Sequence, residues 1–250
     1  MKQYEATWPE VGALDRDTVV LIPTGSIEQH GHHLPLGTDS ILATAVAEEV
    51  EKAIPDKVLL TPTVWLGASG HHLPFSGSLS ASFEGYDSVL RSIILSLAAH
   101  DFYRFYIVNA HGGNTEPNAV TLRKLRMENP NLQLGSIGYF HFIDQSVFDA
   151  TLEGKRKGIR HACEAETSLM LHVRPDLVRK DKVKDDGLEP QPAVPGMVWH
   201  FDEVTTDGSL GEATRATAAK GETLFNAAVS GIVEAVSGLH AGVQLVETEY

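Results

Sequence analysis

Apolar positions along the chain alternate between short β-branched runs and longer amphipathic stretches. Thr18 to Pro23 (TVVLIP) has the unbroken apolar character of a strand buried on both faces. From Ser40 to Ile54, the residues Leu42, Val46, Val50 and Ile54 recur at i, i+4 and Pro55 ends the pattern, which predicts a helix. Lys57 to Trp65 reads as the next strand. Phe83 to His100 is the clearest helix, with Tyr86, Val89, Leu90, Ile93, Ile94 and Leu97 on one face. Arg104 to Asn109 is a strand, Pro117 to Met127 a helix and Leu132 to Tyr139 a strand. A further helix starts near Cys163, carries Leu169, Met170 and Leu171, and stops at Arg174-Pro175. Asp185 to His200 reads as a long loop of the kind that carries function. A final helix spans roughly Ala213 to Val236. The alternation predicts βα units in one domain, residues 1–250, with an α/β fold in which helices flank a mostly parallel sheet.

Composition narrows the classes of function. A formal net charge of -13 repels a nucleic-acid backbone, so no nucleic-acid partner is expected. One local exception is Lys155 to Arg160 (KRKGIR), with four cations in six residues. The single cysteine, Cys163, removes a disulfide framework and a thiolate metal cluster, and suits a reducing, cytoplasmic setting. No N-terminal apolar run resembles a signal peptide and no unbroken apolar run reaches about 18 residues, so no membrane partner is expected.

The candidate chemistry collects where predicted strands end, which is where open α/β sheets place their ligands. After Pro23 comes TGSIEQHGHHLPLGTDS, holding Glu28, His30, His32, His33 and Asp39; after Asn109 comes AHGGN with His111. Such oxygen and nitrogen donors suit Zn, Mn or Fe, and a shared carboxylate could bridge two ions. Each residue also has a plainer role available. Asp39 stands just ahead of a predicted helix and could be its N-cap, the histidines could form a surface loop, and Glu28 could be solvated. The coincidence of both clusters with strand ends favours a metal. No GxSxG elbow, phosphate loop or GxGxxG is present, so Ser69 is not a nucleophile candidate and nucleotide cofactors have no handle. In HACEAETSLML, Glu164 and Glu166 either favour the helix dipole or turn one carboxylate toward the metal. His161 beside them is poised as general acid or charge stabiliser.

GSIEQHGHHLPLGTD, NAHGGN and HACEAETSLML together resemble the creatininase family of metal-dependent amidohydrolases. The resemblance extends to Gly67–Ser80 (GASGHHLPFSGSLS) and Gly208–Gly221. It implies a three-layer α/β/α subunit, commonly a homohexamer, and one or two divalent ions, Zn first and Mn or Fe after it. By position, Glu28 and His111 match ligands of one metal, His30 a ligand of the other, Asp39 the bridging carboxylate and His161 the active-site histidine. Gly113 stands where creatinine hydrolases carry a second-metal glutamate, which makes Glu166 the candidate fifth ligand. Phe140 and Lys157-Gly158 replace tryptophan-containing positions, which moves the expected substrate away from creatinine. The wider family acts on formamides of ribosylated pyrimidine phosphates, on a redox-cofactor precursor peptide and on an oxidised inositol ring. The resemblance therefore implies cleavage of a C–N bond in a small cyclic or formyl amide. Ring opening of a cyclic polyol ketone and a non-catalytic metal-binding protein are the alternatives. The KRKGIR cluster with Lys157 and Arg160, just before His161, either helps hold an anionic substrate group or is a solvated basic loop or subunit contact.

Overall fold

The computed structural model describes residues 1–188 and 197–242. The β-branched run after Thr18 becomes β1 (Val19–Thr24), buried along its whole length. It lies inside a parallel sheet with β2 (Val58–Leu60), β3 (Arg104–Asn109) and β4 (Gln133–Gly138), in the order β2-β1-β3-β4. Side chains of a strand alternate between faces, and β1 divides accordingly. Val19 and Leu21 enter one core, while Val20 and Ile22 enter the other. Both cores need a covering layer, and helices supply them. On one side pack α2 (Thr38–Ala53), α6 (Glu164–Val173) and α7 (Ala218–Ala241); on the other pack α3 (Phe83–Ala98) and α4 (Thr115–Glu128). The fold is thus the expected three-layer α/β/α sandwich. The short helices α1 (Trp8–Gly12) and α5 (Gln145–Thr151) complete it and carry too few periodic positions to stand out in the sequence.

Three boundaries differ from expectation for identifiable reasons. The strand expected over Lys57–Trp65 keeps only three residues, because Pro62 has no N–H for a ladder. Beyond it, pairing at β1 continues through the Thr61 N–H to the Leu21 carbonyl (3.0 Å), the Val64 N–H to the Pro23 carbonyl (2.9 Å) and the Gly25 N–H to the Val64 carbonyl (3.0 Å). The last helix starts at Ala218, where the Thr217 side chain accepts from the Lys220 N–H, and Ala213–Arg215 forms a separate 3-10 turn. The expected loop over Asp185–His200 lies partly outside the described residues; from Met197 it leads into a 3-10 turn at Phe201–Glu203. Among the described residues α7 alone is long and apolar enough to cross a membrane. Its stripe of Leu224, Phe225, Ala228, Ile232 and Val236 is buried within the core shared with α2 and α6.

The sheet order sets the position of the site. β1 has β2 on one side and β3 on the other, so the connections after β1 and β3 leave the sheet in opposite directions and open a crevice at their C-terminal ends. Thr24 and Asn109 are paired across that edge, and the Thr24 hydroxyl donates to Asn109 Oδ1 at 3.0 Å. The loop with Glu28 and His30 follows the first strand end; His111 follows the second.

Candidate metal centre

All five expected ligands converge. Glu28, His30, Asp39, His111 and Glu166 are each at most 4% exposed. They form two groups in which one donor atom from each residue lies within 4.8 Å of the others: Glu28, Asp39 and His111, and His30, Asp39 and Glu166. Asp39 belongs to both. Its Oδ1 is 3.1 Å from His30 Nε2 and its Oδ2 is 3.1 Å from His111 Nδ1, while Glu28 Oε2 lies 3.1 Å from the same His111 nitrogen. A third group joins Glu28 and His30 to His161.

Local structure explains each placement. Asp39 is the second residue of α2, whose N-cap is Gly37, so it is not the helix cap that its position in the sequence allows. It stands in the first turn, where the helix dipole favours an anion, and accepts from the Ser26 hydroxyl at 2.7 Å. His30 Nδ1 is 3.2 Å from the Glu28 carbonyl. A carbonyl only accepts, so Nδ1 carries a proton and Nε2 is the nitrogen turned toward the cluster. His111 Nε2 likewise contacts the Ala68 carbonyl (3.3 Å) and Ser69 Oγ (3.2 Å), leaving Nδ1 for the carboxylates. Of the other loop histidines, His33 is tied to Thr167 Oγ1 at 2.8 Å and His32 is exposed beside Asp207, so neither joins the centre.

Glu166 comes in from the first turn of α6. The backbone before it turns at Ala162, a buried non-glycine residue at φ 50°, in the left-handed region. That turn brings the Ala162 N–H to Glu166 Oε2 at 2.5 Å and sets His161 beside the cluster. Glu164, the other acid of this turn, points away. It accepts from the Gly154 N–H (2.7 Å) and from Lys220 Nζ (2.6 Å), anchoring α6 to α7. At Gly113 a Cβ would come within 2.4 Å of His111 Nε2 and 2.5 Å of the Ala68 carbonyl, so a side chain there would displace the His111 ring.

Burial acts against charge at every member, and the neighbours decide the outcome. Burial raises the Glu28 carboxyl, yet His111 and His72 outweigh it and hold it down at about 2. Burial also opposes charge on Asp39, which His30 and His111 keep well below the usual carboxylate range. Against burial, Asp39 pulls His30 up to about 10, and Glu28 with Asp39 pulls His111 up. Burial dominates at Glu166, raised to about 8, and at His161, lowered into the neutral form. Two buried polar atoms at the centre, Glu28 Oε2 and His30 Nε2, make no well-aligned hydrogen bond, although each has an ion-pair neighbour at 3.1 Å. Orphaned donors among borderline oxygen and nitrogen ligands are what a divalent ion would satisfy, so the residues fit the group.

Two features went unnoticed in the sequence. His72, in the Gly70–His72 turn, is 1% exposed and places Nε2 3.3 Å from Glu28 Oε1. Phe201 stacks on His72 with centroids 4.3 Å apart and lies 4.5 Å from the His161 ring. The GASGHH spacing offered no metal pattern, and Phe201 sits in the turn that ends the presumed loop. Together with Phe140, His71, Trp199 and Arg160 they line a cavity of about 830 Å³ over Glu28, Asp39, His111 and Glu166. The KRKGIR cluster is divided. Arg156 pairs with Asp186 and Glu212, and Lys157 bonds the Leu152 carbonyl, so Lys157 is engaged by the fold and does not line the cavity. Arg160 does line it, and its Nη1 donates to the Ile159 carbonyl at 3.3 Å.

A carboxylate shared by two ligand groups at the C-terminal edge of a parallel sheet, with a neutral histidine beside them, defines a metal-dependent hydrolase. The creatinine amidohydrolase (creatininase) family profile matches residues 4–236, and the chain belongs to the creatininase family. It is 32% identical to the creatinine amidohydrolase of Pseudomonas putida over 93% of this chain and 94% of the relative. It is 35% identical to a mycofactocin precursor peptide peptidase of Mycolicibacterium smegmatis, over 87% of this chain and 84% of that protein. A structure of the Mn form of creatininase superposes with a TM-score of 0.81 at 31% identity, covering 94% of this chain and 96% of the other.

Proposed function

We propose that this protein hydrolyses the C–N bond of a small cyclic or formyl amide, with Glu28, Asp39 and His111 holding one divalent ion and His30, Asp39 and Glu166 a second. The observation that carries the reading is Asp39, whose two oxygens each face a different histidine. A divalent ion bound there supplies Lewis acidity, polarising a carbonyl and bringing the pKa of water down to roughly 7.

The chain's own residues do the rest. His161 Nε2 is 2.6 Å from the Gln29 carbonyl, which only accepts, so its free lone pair is at Nδ1, 3.7 Å from Glu28 Oε1. From that position His161 takes up at Nδ1 the proton that water releases as its oxygen adds to the carbonyl carbon, and returns it to the nitrogen as the C–N bond breaks. Gly112 and Gly113 line the cavity, where the lack of side chains lets a substrate approach the backbone closely. Phe140, Trp199 and Phe201 form apolar wall that excludes water, and Arg160 receives an anionic group on the substrate.

The cavity volume of about 830 Å³ lies in the upper part of the range for small-molecule pockets, roughly 300–1,000 Å³. It favours a second reading, in which the amide belongs to a peptide, as the peptidase relatives suggest. Incubating Zn- or Mn-loaded protein with creatinine, a formamidopyrimidine, an inosose and short peptides, and following each by mass spectrometry, separates the readings. Consumption of a cyclic or formyl amide, abolished in His161→Ala, is the expected result. Cleavage of the inosose alone would replace C–N by C–C chemistry, and full metal occupancy with no turnover of any probe would point to a binding protein.

A further inference from the structure

The ligands of the candidate centre lean on a layer of buried residues that no ligand pattern picks out. Gln29 lies between Glu28 and His30 and is 5% exposed. Its side-chain oxygen accepts the Gly31 N–H at 3.0 Å, which fixes which end of the amide is which. The NH₂ end is then 3.0 Å from His72 Nδ1. An amide N–H only donates, so His72 Nδ1 accepts and the ring proton sits on Nε2. That N–H faces Glu28 Oε1 at 3.3 Å. The same NH₂ group is also 3.0 Å from His161 Nε2, but the Gln29 carbonyl is closer, at 2.6 Å, and assigns a proton to that nitrogen.

The tail motif Gly208–Leu210 is moulded around this arrangement. Gly208 has φ +74°, and a Cβ on it would fall 1.9 Å from Gln29 Oε1, so any side chain at that position would evict the amide. The Gly208 carbonyl accepts the Gly31 N–H at 3.2 Å, and the Leu210 N–H donates to the His161 carbonyl at 2.7 Å. One segment thereby clamps both Gln29 and His161.

Resting on the metal-dependent reading above, we propose that Gln29 and His72 are positioning residues. Gln29 sets the tautomer of His72, His72 directs its Nε2–H to Glu28 Oε1, and Glu28 is left with Oε2 aimed at the Glu28–Asp39–His111 position. Through its carbonyl, Gln29 also sets His161 with Nδ1 toward the site. The role differs for the two ligand groups, since among the described residues no hydrogen bond or ion pair runs from the Gln29 or His72 side chain to Glu166 or His30. Supporting partners of metal ligands typically contribute about 10- to 100-fold in affinity.

The test measures metal binding, not turnover. Zinc is titrated into metal-stripped full-length protein against a chelating indicator, for the native chain and for His72→Ala, His72→Gln and Gln29→Glu. The expected result is two sites in the native chain. In His72→Ala the tighter one weakens by about 10- to 100-fold while the other changes less than about threefold. In His72→Gln, whose amide N–H can still reach Glu28, part of the loss is recovered. Gln29→Glu, which has no N–H to give His72, behaves like His72→Ala. Equal weakening of both sites, or none, overturns the proposal and leaves the metal reading intact; a native chain that takes up no zinc overturns both. Imidazole ¹⁵N NMR on the native protein gives an answer even if the variants do not fold. His72 must show protonated Nε2 and unprotonated Nδ1, and the opposite tautomer or an imidazolium overturns the assignment.

Discussion

The two ligand groups that share Asp39 are built from different parts of the chain and differ in how they are supported. Glu28, Asp39 and His111 come from the connections after β1 and β3, meeting in the crevice between those strands. His72 backs Glu28, and the Ala68 carbonyl and Ser69 hydroxyl back His111. The second group completes itself with Glu166 from α6, supported by one backbone N–H of a strained turn. Their electrostatics differ in the same sense, with Glu28 held down at about 2 and Glu166 raised to about 8. Near neutral pH the first position already presents two ionised carboxylates, Glu28 and Asp39, although His111, raised above its ordinary range by them, must also release a proton when an ion binds. The second has to lose a proton before it offers the same charge. A binuclear centre can thus be made of one preorganised position and one conditional one.

The largest effect belongs to the residue common to both. Asp39→Asn should abolish binding at both positions and lower turnover more than the ~10²- to 10⁴-fold that a general acid–base contributes; metal analysis of the purified variant checks this, and retention of two ions would break the comparison. His161→Ala comes next, with kcat down about 10²- to 10⁴-fold and both ions retained. Equal loss of metal in that variant would make His161 a ligand instead of a proton carrier. Glu166→Gln should then empty only the second position, while Glu28→Gln empties the first, and calorimetric titration distinguishes the two.

Acidity sharpens the contrast further. His30 is raised from 6.5 to about 10, so the stability it gives the metal-free protein is present below about pH 6.5 and lost as pH rises through 10. Glu166, an acid raised from 4.5 to about 8, is most favourable while protonated, below about 4.5, and loses that contribution as pH rises through 8. Metal-stripped protein should therefore fall in Tm between pH 6 and 10, and metal should bind more tightly over the same interval as protons leave. A stripped-protein Tm that is flat across that window contradicts the assignment. The smallest effects concern substrate. Arg160→Ala should raise KM about 10-fold for an anionic substrate, the scale of one hydrogen bond to a charged group. Lys157→Ala, whose amine is engaged with the Leu152 carbonyl, should change KM less than about twofold.

Much of this was readable from residue order because its causes are local. β1 follows from an unbroken apolar run and α3 from apolar positions that recur every three to four residues, and β3 falls on the predicted boundaries, Arg104–Asn109. Glu28, His30 and His111 follow from the rule that ligands gather beyond strand ends. Asp39 was balanced between capping and ligation because both roles sit at the start of a helix; only the fold shows Gly37 taking the cap position. Glu166 and Glu164 are two residues apart in one helical turn, and which faces the centre depends on Lys220 and Gly154, far along the chain or in another loop. His72 had no local signal at all, since its significance lies in a contact with Glu28 across the fold. The same holds for Lys157 and Arg160, whose separate roles depend on which carbonyl or cavity each reaches.

The left-handed turn at Ala162 also bears on how this enzyme can be engineered. An alanine in that conformation costs roughly 1–2 kcal/mol, and the fold bears the cost between His161 and Glu166. Ala162→Gly removes it but adds backbone freedom to the unfolded chain, an offset of roughly 0.5–1 kcal/mol. The variant should be as stable as the parent or slightly more so, while losing rigidity where rigidity sets reactive geometry. A stability screen would then select it and an activity screen reject it, which marks this turn as a place where the two selections part company.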